Sequence, residues 1–115
     1  MPISCAVNDI MIKGELHDAL APHTALACRI KGVIRGTVFN RGTSLMLKVT
    51  LNVGWEKSKL TFKKGEIAYD PVDEWLVIFL KDTQQGKKYN LIGQLDYTES
   101  LEKVRTGSSL EIRFS

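Results

Sequence analysis

Few side chains in this 115-residue chain have the type for chemistry, and their spacing decides which chemistry is open to them. His17 and Asp18 are adjacent, as in a metal phosphohydrolase, but the further His and Asp ligands of such a centre are missing, and a His-Asp step is ordinary loop composition. His23 and Cys28 are five apart, about 140° around a helix, so they do not share a face. No G-x-S-x-G elbow presents a nucleophile. Asp70, Asp73 and Glu74 crowd the stretch around Pro71, where a polar turn accounts for them better than a divalent-cation site does. Cys5, Cys28, His17 and His23 are the whole pool of soft or imidazole ligands. They are scattered, with no Cys-x-x-Cys step, so neither a metal site nor a cofactor is expected. Two reduced thiols with no disulfide between them is the expectation for a cytosolic chain.

Composition narrows the classes further. The length argues for one domain over residues 1–115 with one core. Net charge is +3, with no dense basic run. Lys57, Lys59, Lys63 and Lys64 alternate with polar and apolar residues as on a solvated strand edge, where lysines block unwanted pairing. A nucleic-acid reader carries a concentrated stripe or an aromatic platform, and neither is present. The longest apolar run, Trp75 to Leu80, is far below the ~20 residues of a membrane span. The N-terminal stretch lacks a basic region and a small-residue cleavage site, so a cytoplasmic location is expected.

The elements that must position these residues are mostly strands. Ile3, Cys5 and Val7 alternate with polar or small residues, and Asn8-Asp9 is a two-residue hairpin signal. "VIRGTVFN" and "SLMLKVTLNV" flank the turn "NRGT". In the second of these, Leu45, Leu47, Val49, Leu51 and Val53 alternate as in a half-buried strand, until "GWEKS" breaks it. "KLTF" and "EIAY" flank "KKG". Trp75 to Leu80 is apolar on both parities, so that strand is expected to be covered on both faces. "DTQQGKK" reads as a loop, "YNLIGQLD" and "SLEIRF" as strands. Leu47, Val49, Leu51, Val77, Phe79, Ile92, Leu110 and Ile112 are expected in one core.

Two short helices interrupt the strands. "PHTALACRIK" opens on Pro22, suited to the first helical position, and Gly32 stops it. Leu26 and Ile30, four apart, define the stripe expected to face the core. That leaves Cys28 outside with Thr24 and Lys31, and makes Cys28 the faster thiol to label. A second helix is expected from about Tyr97 to Val104, with Asp96 and Glu99 as a capping box and Leu101 and Val104 inward. Many short strands with two short helices imply a closed or nearly closed barrel, which removes exposed edges.

The stretch "KKGEIAYDPVDEWLVIFLKDT" resembles the signature of a small prokaryotic family with a cyclophilin-like fold. Gly65, Glu66, Ile67, Ala68, Tyr69, Pro71 and Phe79 match its pattern. Asp70 stands where the family usually has Trp, and Val72 where it has a second Pro. Downstream, Asn90, Ile92, Gly93, Leu101, Gly107, Ile112, Arg113 and Phe114 carry the family's ending. The resemblance covers roughly residues 60–115 and implies a mainly β fold, a closed eight-stranded cyclophilin-like barrel with two short helices. True cyclophilins show a similar "P-x-T" opening their first helix. Aligning on it would bury Cys28 and expose Leu26, against the helical periodicity.

True cyclophilins catalyse proline cis/trans isomerisation, against an uncatalysed barrier of about 18–20 kcal/mol, with an Arg beside an apolar proline pocket. Their motif around that Arg falls near "VFNRGTSLMLKV", where Phe39 and Arg41 match by letter while the Gln and paired glycines do not. The pocket Trp and His have no counterpart in or after "DTQQGKKYN"; Tyr89 is the available aromatic wall. Arg41, the one catalytic candidate, also reads as a solvated turn arginine beside Gly42. Tyr69 reads as a core aromatic or a pocket wall, and Trp75 as a groove lining or as packing. The expected function is thus a non-catalytic cyclophilin-like binding module for a small molecule or peptide segment, with Phe39, Arg41, Tyr69, Trp75 and Tyr89 as candidate ligand contacts; the resemblance itself names no ligand. The alternatives are a divergent prolyl isomerase acting through Arg41, and a subunit that self-associates.

Overall fold

Asn8, at a left-handed φ of 53°, and Asp9 form the two-residue turn that joins β1 (Pro2–Val7) to β2 (Ile10–Leu16), as their short polar side chains favour. The computed structural model describes residues 1–114. It continues through α1 (Pro22–Lys31), β3 (Val33–Asn40), β4 (Ser44–Lys48), β5 (Lys59–Phe62), β6 (Glu66–Asp70), β7 (Trp75–Phe79), β8 (Thr83–Leu95) and β9 (Ser109–Phe114). Eight strands hydrogen-bond in the order β2-β1-β9-β3-β4-β7-β6-β8, and β8 returns to β2, so the ring closes. All its pairings are antiparallel.

Two glycines make the closing seam possible. Gly14 lies opposite Leu95, and Gly93 opposite Leu16. A Cβ at Gly14 would sit 2.2 Å from the Gln94 carbonyl oxygen, and one at Gly93 2.5 Å from that of Glu15. Only residues without a side chain allow β2 and β8 to approach this closely.

The ring encloses the main core, which contains Leu47, Leu51, Ile92, Leu110 and Ile112. The expectation of a single core is corrected. Val77 and Phe79 belong to a second cluster outside the ring, with Met46, Phe62, Ala68 and Tyr89, and Val49 is only partly buried. The cause is β8. Its first half, expected as a loop, is strand and pairs with β5. This two-stranded arm brings Phe62 and Tyr89 onto the outward-facing residues of β4, β6 and β7. The strand Trp75–Phe79 is therefore covered on both faces, as its unbroken apolar run requires.

Three further expectations are revised. β4 ends at Lys48; residues 49–58 are irregular because side chains from β6 and β8 capture their backbone. The second helix is a 3-10 turn over Glu99–Leu101 with no side-chain cap bond at its start; Glu99 reaches Lys64 at 2.8 Å instead. Leu101 and Val104 are buried as expected.

The third revision turns α1 over. Leu26 is 49% and Ile30 76% exposed, whereas Ala21, Thr24, Ala25 and Cys28 are fully buried. Those four also follow the i, i+3, i+4, i+7 spacing of a helix face. Their small side chains let the helix lie close on the ring, and the Thr24 hydroxyl finds partners there. The bulkier pair is left outside. Among the described residues no helix is long and apolar enough to cross a membrane.

Candidate functional site

Of the residues expected to bind a ligand, Arg41 and Tyr89 border one hollow, and Phe39, Tyr69 and Trp75 are not part of its lining. Arg41 follows β3 in the turn to β4, where its N–H donates to the Ser44 carbonyl at 2.9 Å. Its guanidinium reaches the Met46 thioether at 3.8 Å. Arg41, Met46, Val77 and Tyr89 line a hollow of about 110 Å³, well below the ~300–1,000 Å³ of a typical ligand pocket. The apolar space beneath is filled. Phe62 stacks on Phe79 with centroids 4.5 Å apart and planes 3° from parallel, and Tyr89 tilts against both. Tyr89 is itself buried, which raises its hydroxyl pKa. Phe39 is 52% exposed on β3 and lines no hollow with Arg41.

Tyr69 is a core aromatic and not a pocket wall. It is buried, its hydroxyl donating to the Val49 carbonyl at 2.8 Å and accepting from the Leu51 N–H at 3.1 Å. Burial is the main cause that raises its pKa. Trp75 is partly buried against the outer cluster, with the Lys48 ammonium 4.7 Å from its ring centroid, a cation–π contact. The acidic loop closes on itself. Asp70 is buried, accepts the N–H groups of Val72 and Asp73 through one oxygen, and meets Lys87 at 2.7 Å through the other. Asp73 shares that lysine, and the two carboxylates, Asp70 first, hold the ammonium above its ordinary pKa.

The remaining candidates are likewise apart. His17 borders a hollow with Glu15 and Asp96, and among the described residues no group of three His, Cys, Asp or Glu side chains could share a metal ion. Cys5 and Cys28 are free and buried. Burial pushes each thiol up to about 12, so the expected preference for labelling at Cys28 is withdrawn.

A larger opening lies elsewhere, between α1 and the irregular segment 49–58. Leu26 and Ala27 form one wall and Leu51, Val53 and Trp55 the other, around a groove of about 470 Å³. Trp55 is 50% exposed. It also borders a second hollow, of about 450 Å³, over Leu20 and Pro22.

A partly buried polar network, centred on the buried Thr24 and Asn90, holds this groove open. Tyr69 and Asn90 are cross-strand neighbours on β6 and β8, and both reach the 49–58 segment. The Asn90 amide donates to the Gly54 carbonyl at 3.0 Å and to the Thr24 hydroxyl at 3.1 Å, and accepts the Glu56 N–H at 3.1 Å. Glu56 accepts the N–H groups of His23 and Thr24, each at 2.9 Å, and the Thr24 hydroxyl at 2.6 Å. The N-cap position, Ala21, has no capping side chain. Glu56 therefore caps α1 from across the groove, its charge opposite the positive end of the helix dipole. Desolvation alone would raise the Glu56 pKa; the hydrogen bonds from Thr24 and His23 outweigh it and hold the carboxyl below its usual value.

The sequence reading missed Trp55 and Glu56 as groove residues and Asn90 as the side chain that anchors their segment. The available signal was a tryptophan beside a glycine in a strand-breaking stretch, a poor place for a core aromatic.

No family model matches the chain, and no curated protein matches it. Among solved structures it is similar to the solution structure of the hypothetical protein AF2241 from Archaeoglobus fulgidus. The TM-score is 0.83 at 22% sequence identity, over 100% of this chain and 95% of that one. That likeness is one of fold.

Proposed function

We propose that this chain is a cyclophilin-like binding module, a closed barrel that takes its ligand in the groove between α1 and the 49–58 segment and does not isomerise proline. The signature residues from Gly65 to Phe79 and from Asn90 to Phe114 support the family reading, and the closed ring of eight strands agrees with it. The observation that carries the functional reading is the groove itself. It has the volume of a small-molecule or peptide site, apolar walls and an exposed tryptophan, the composition such sites favour. The isomerase alternative needs an apolar slot beside Arg41, and the hollow there, bordered by Met46, Val77 and Tyr89, has only about 110 Å³, which favours the binding reading.

The test pairs two assays. Nile red, a neutral dye that brightens in apolar surroundings, is expected to bind the wild type saturably. Arg41→Ala should bind it equally, and Leu26→Glu, which puts a charge on an exposed groove wall, should lose most of the signal. Short Xaa-Pro peptides should isomerise at the uncatalysed rate. A rate enhancement abolished by Arg41→Ala would overturn the reading in favour of the enzyme.

A further inference from the structure

Backbone groups in segment 49–58 can be accounted for one by one. The Leu51 N–H goes to Tyr69, the Glu56 N–H to Asn90 and the Lys57 N–H to the Leu20 carbonyl. Among the described residues, the N–H groups of Asn52, Val53, Gly54 and Trp55 have no protein partner, and neither do the carbonyls of Asn52 and Val53. A run of unpaired main-chain groups thus borders the apolar groove. A Cβ built on Gly54 meets nothing within 4 Å, so another backbone has room to approach.

We infer that the groove takes an extended peptide segment, paired main chain to main chain along Val53–Trp55, with alternate apolar side chains against Leu26, Leu51 and Trp55. This rests on the reading of the groove as the binding site. Strand addition of this kind draws affinity from backbone hydrogen bonds and selectivity from pockets for every second side chain. Asn52, left-handed at φ 55°, bends the segment and limits pairing to the residues after it. The hollows on either side of Trp55 share His23, Trp55 and Glu56, so the surface is elongated and suits a chain better than a compact molecule. No Lys or Arg lines the main groove, and Glu56 is its one carboxylate. The segment that fits is therefore neutral or basic.

The probe is an acetylated, amidated octapeptide of alternating valine and threonine with one terminal lysine, set against the same peptide N-methylated at every internal amide. Trp75→Phe leaves Trp55 as the sole tryptophan, excited selectively at wavelengths beyond the tyrosine absorption. The unmodified peptide should shift Trp55 emission and slow hydrogen exchange at Val53 and Trp55, whose N–H groups face the same side, and not at Gly54 between them. The methylated peptide should bind roughly tenfold more weakly or worse, and Leu26→Glu should bind neither. Equal affinity for both peptides, or binding without amide protection, would overturn main-chain pairing. If the peptide does not bind but Nile red still does, the peptide inference falls and the binding-module reading stands; if neither binds, both fall. Concentration-dependent dimerisation lost in Leu26→Glu would replace the peptide with a second copy as the occupant.

Discussion

Around Arg41 the apolar lining is sealed by the protein itself: the β5–β8 arm lays Phe62 and Tyr89 over Phe79 and Met46, and a hollow of about 110 Å³ remains. Beside α1 the opposite holds. Leu26 and Trp55, each about half exposed, face a groove of about 470 Å³, while the polar groups of Thr24, Glu56 and Asn90 are drawn into a satisfied network at its edge. Filling one apolar surface and keeping another open teaches where recognition can occur. Rings stacked on each other must be displaced before a ligand enters. A groove held open by a network of partly buried hydrogen bonds requires no such rearrangement and is preorganised for binding.

The sharpest contrast is in stability. Phe79→Ala should cost about 3–5 kcal/mol, because it empties the centre of the outer cluster. Trp55→Ala, on the open surface, should change stability by about 0.5 kcal/mol or less. Urea unfolding of both variants measures the difference, and equal costs would erase the distinction between sealed and open. Asn90→Ala should come next, at about 1–3 kcal/mol, since it leaves the Gly54 carbonyl, the Glu56 N–H and the Thr24 hydroxyl short of a partner. That variant should also lose Nile red binding, because the groove wall is no longer pinned; retained binding would mean that the network does not shape the site.

A smaller effect is expected from the Glu56 cap. Its carboxyl pKa is lower in the folded chain than its ordinary value, so the folded state favours the charged form. The stabilisation is complete above the ordinary carboxyl pKa and is lost as pH falls through the lowered one. Glu56→Gln should therefore cost about 0.3–1 kcal/mol at neutral pH, and the gap to wild type should shrink in acid. A gap that widened in acid would contradict the cap. Smallest of all, Cys5 and Cys28 should label with a thiol reagent at similarly slow rates in native buffer, both fast in urea. Rapid native labelling of Cys28 alone would restore the rejected face of α1.

What the sequence revealed divides along the same line. β3 and β9 were legible to the residue, β9 because its apolar positions alternate and β3 because Gly32 and the turn after Asn40 bound it. Pro22 and Gly32 marked the ends of α1 for steric reasons that act within one or two residues. The face of α1 was not legible from its largest residues. Ala21, Thr24, Ala25 and Cys28 have the helical spacing but little hydrophobic weight, and what draws them inward is close packing and the partners of the Thr24 hydroxyl. The groove was hidden more deeply. The path of residues 49–58 is set by Tyr69 and Asn90, which stand 18 residues beyond Leu51 and 34 beyond Glu56, and no local pattern announces such a capture. "DTQQGKK" looked like a loop because its strand pairs with a four-residue partner and carries polar residues along a solvated arm.

The central claim is that recognition belongs to the groove beside α1 and not to the Arg41 hollow. An amide chemical-shift map recorded while indole is titrated into the protein tests it directly. The account predicts saturable shifts clustered at residues 23–27 and 51–56, with Arg41, Gln85 and Tyr89 unmoved. Saturable shifts centred on Arg41, Gln85 and Tyr89, with the groove residues still, would contradict it.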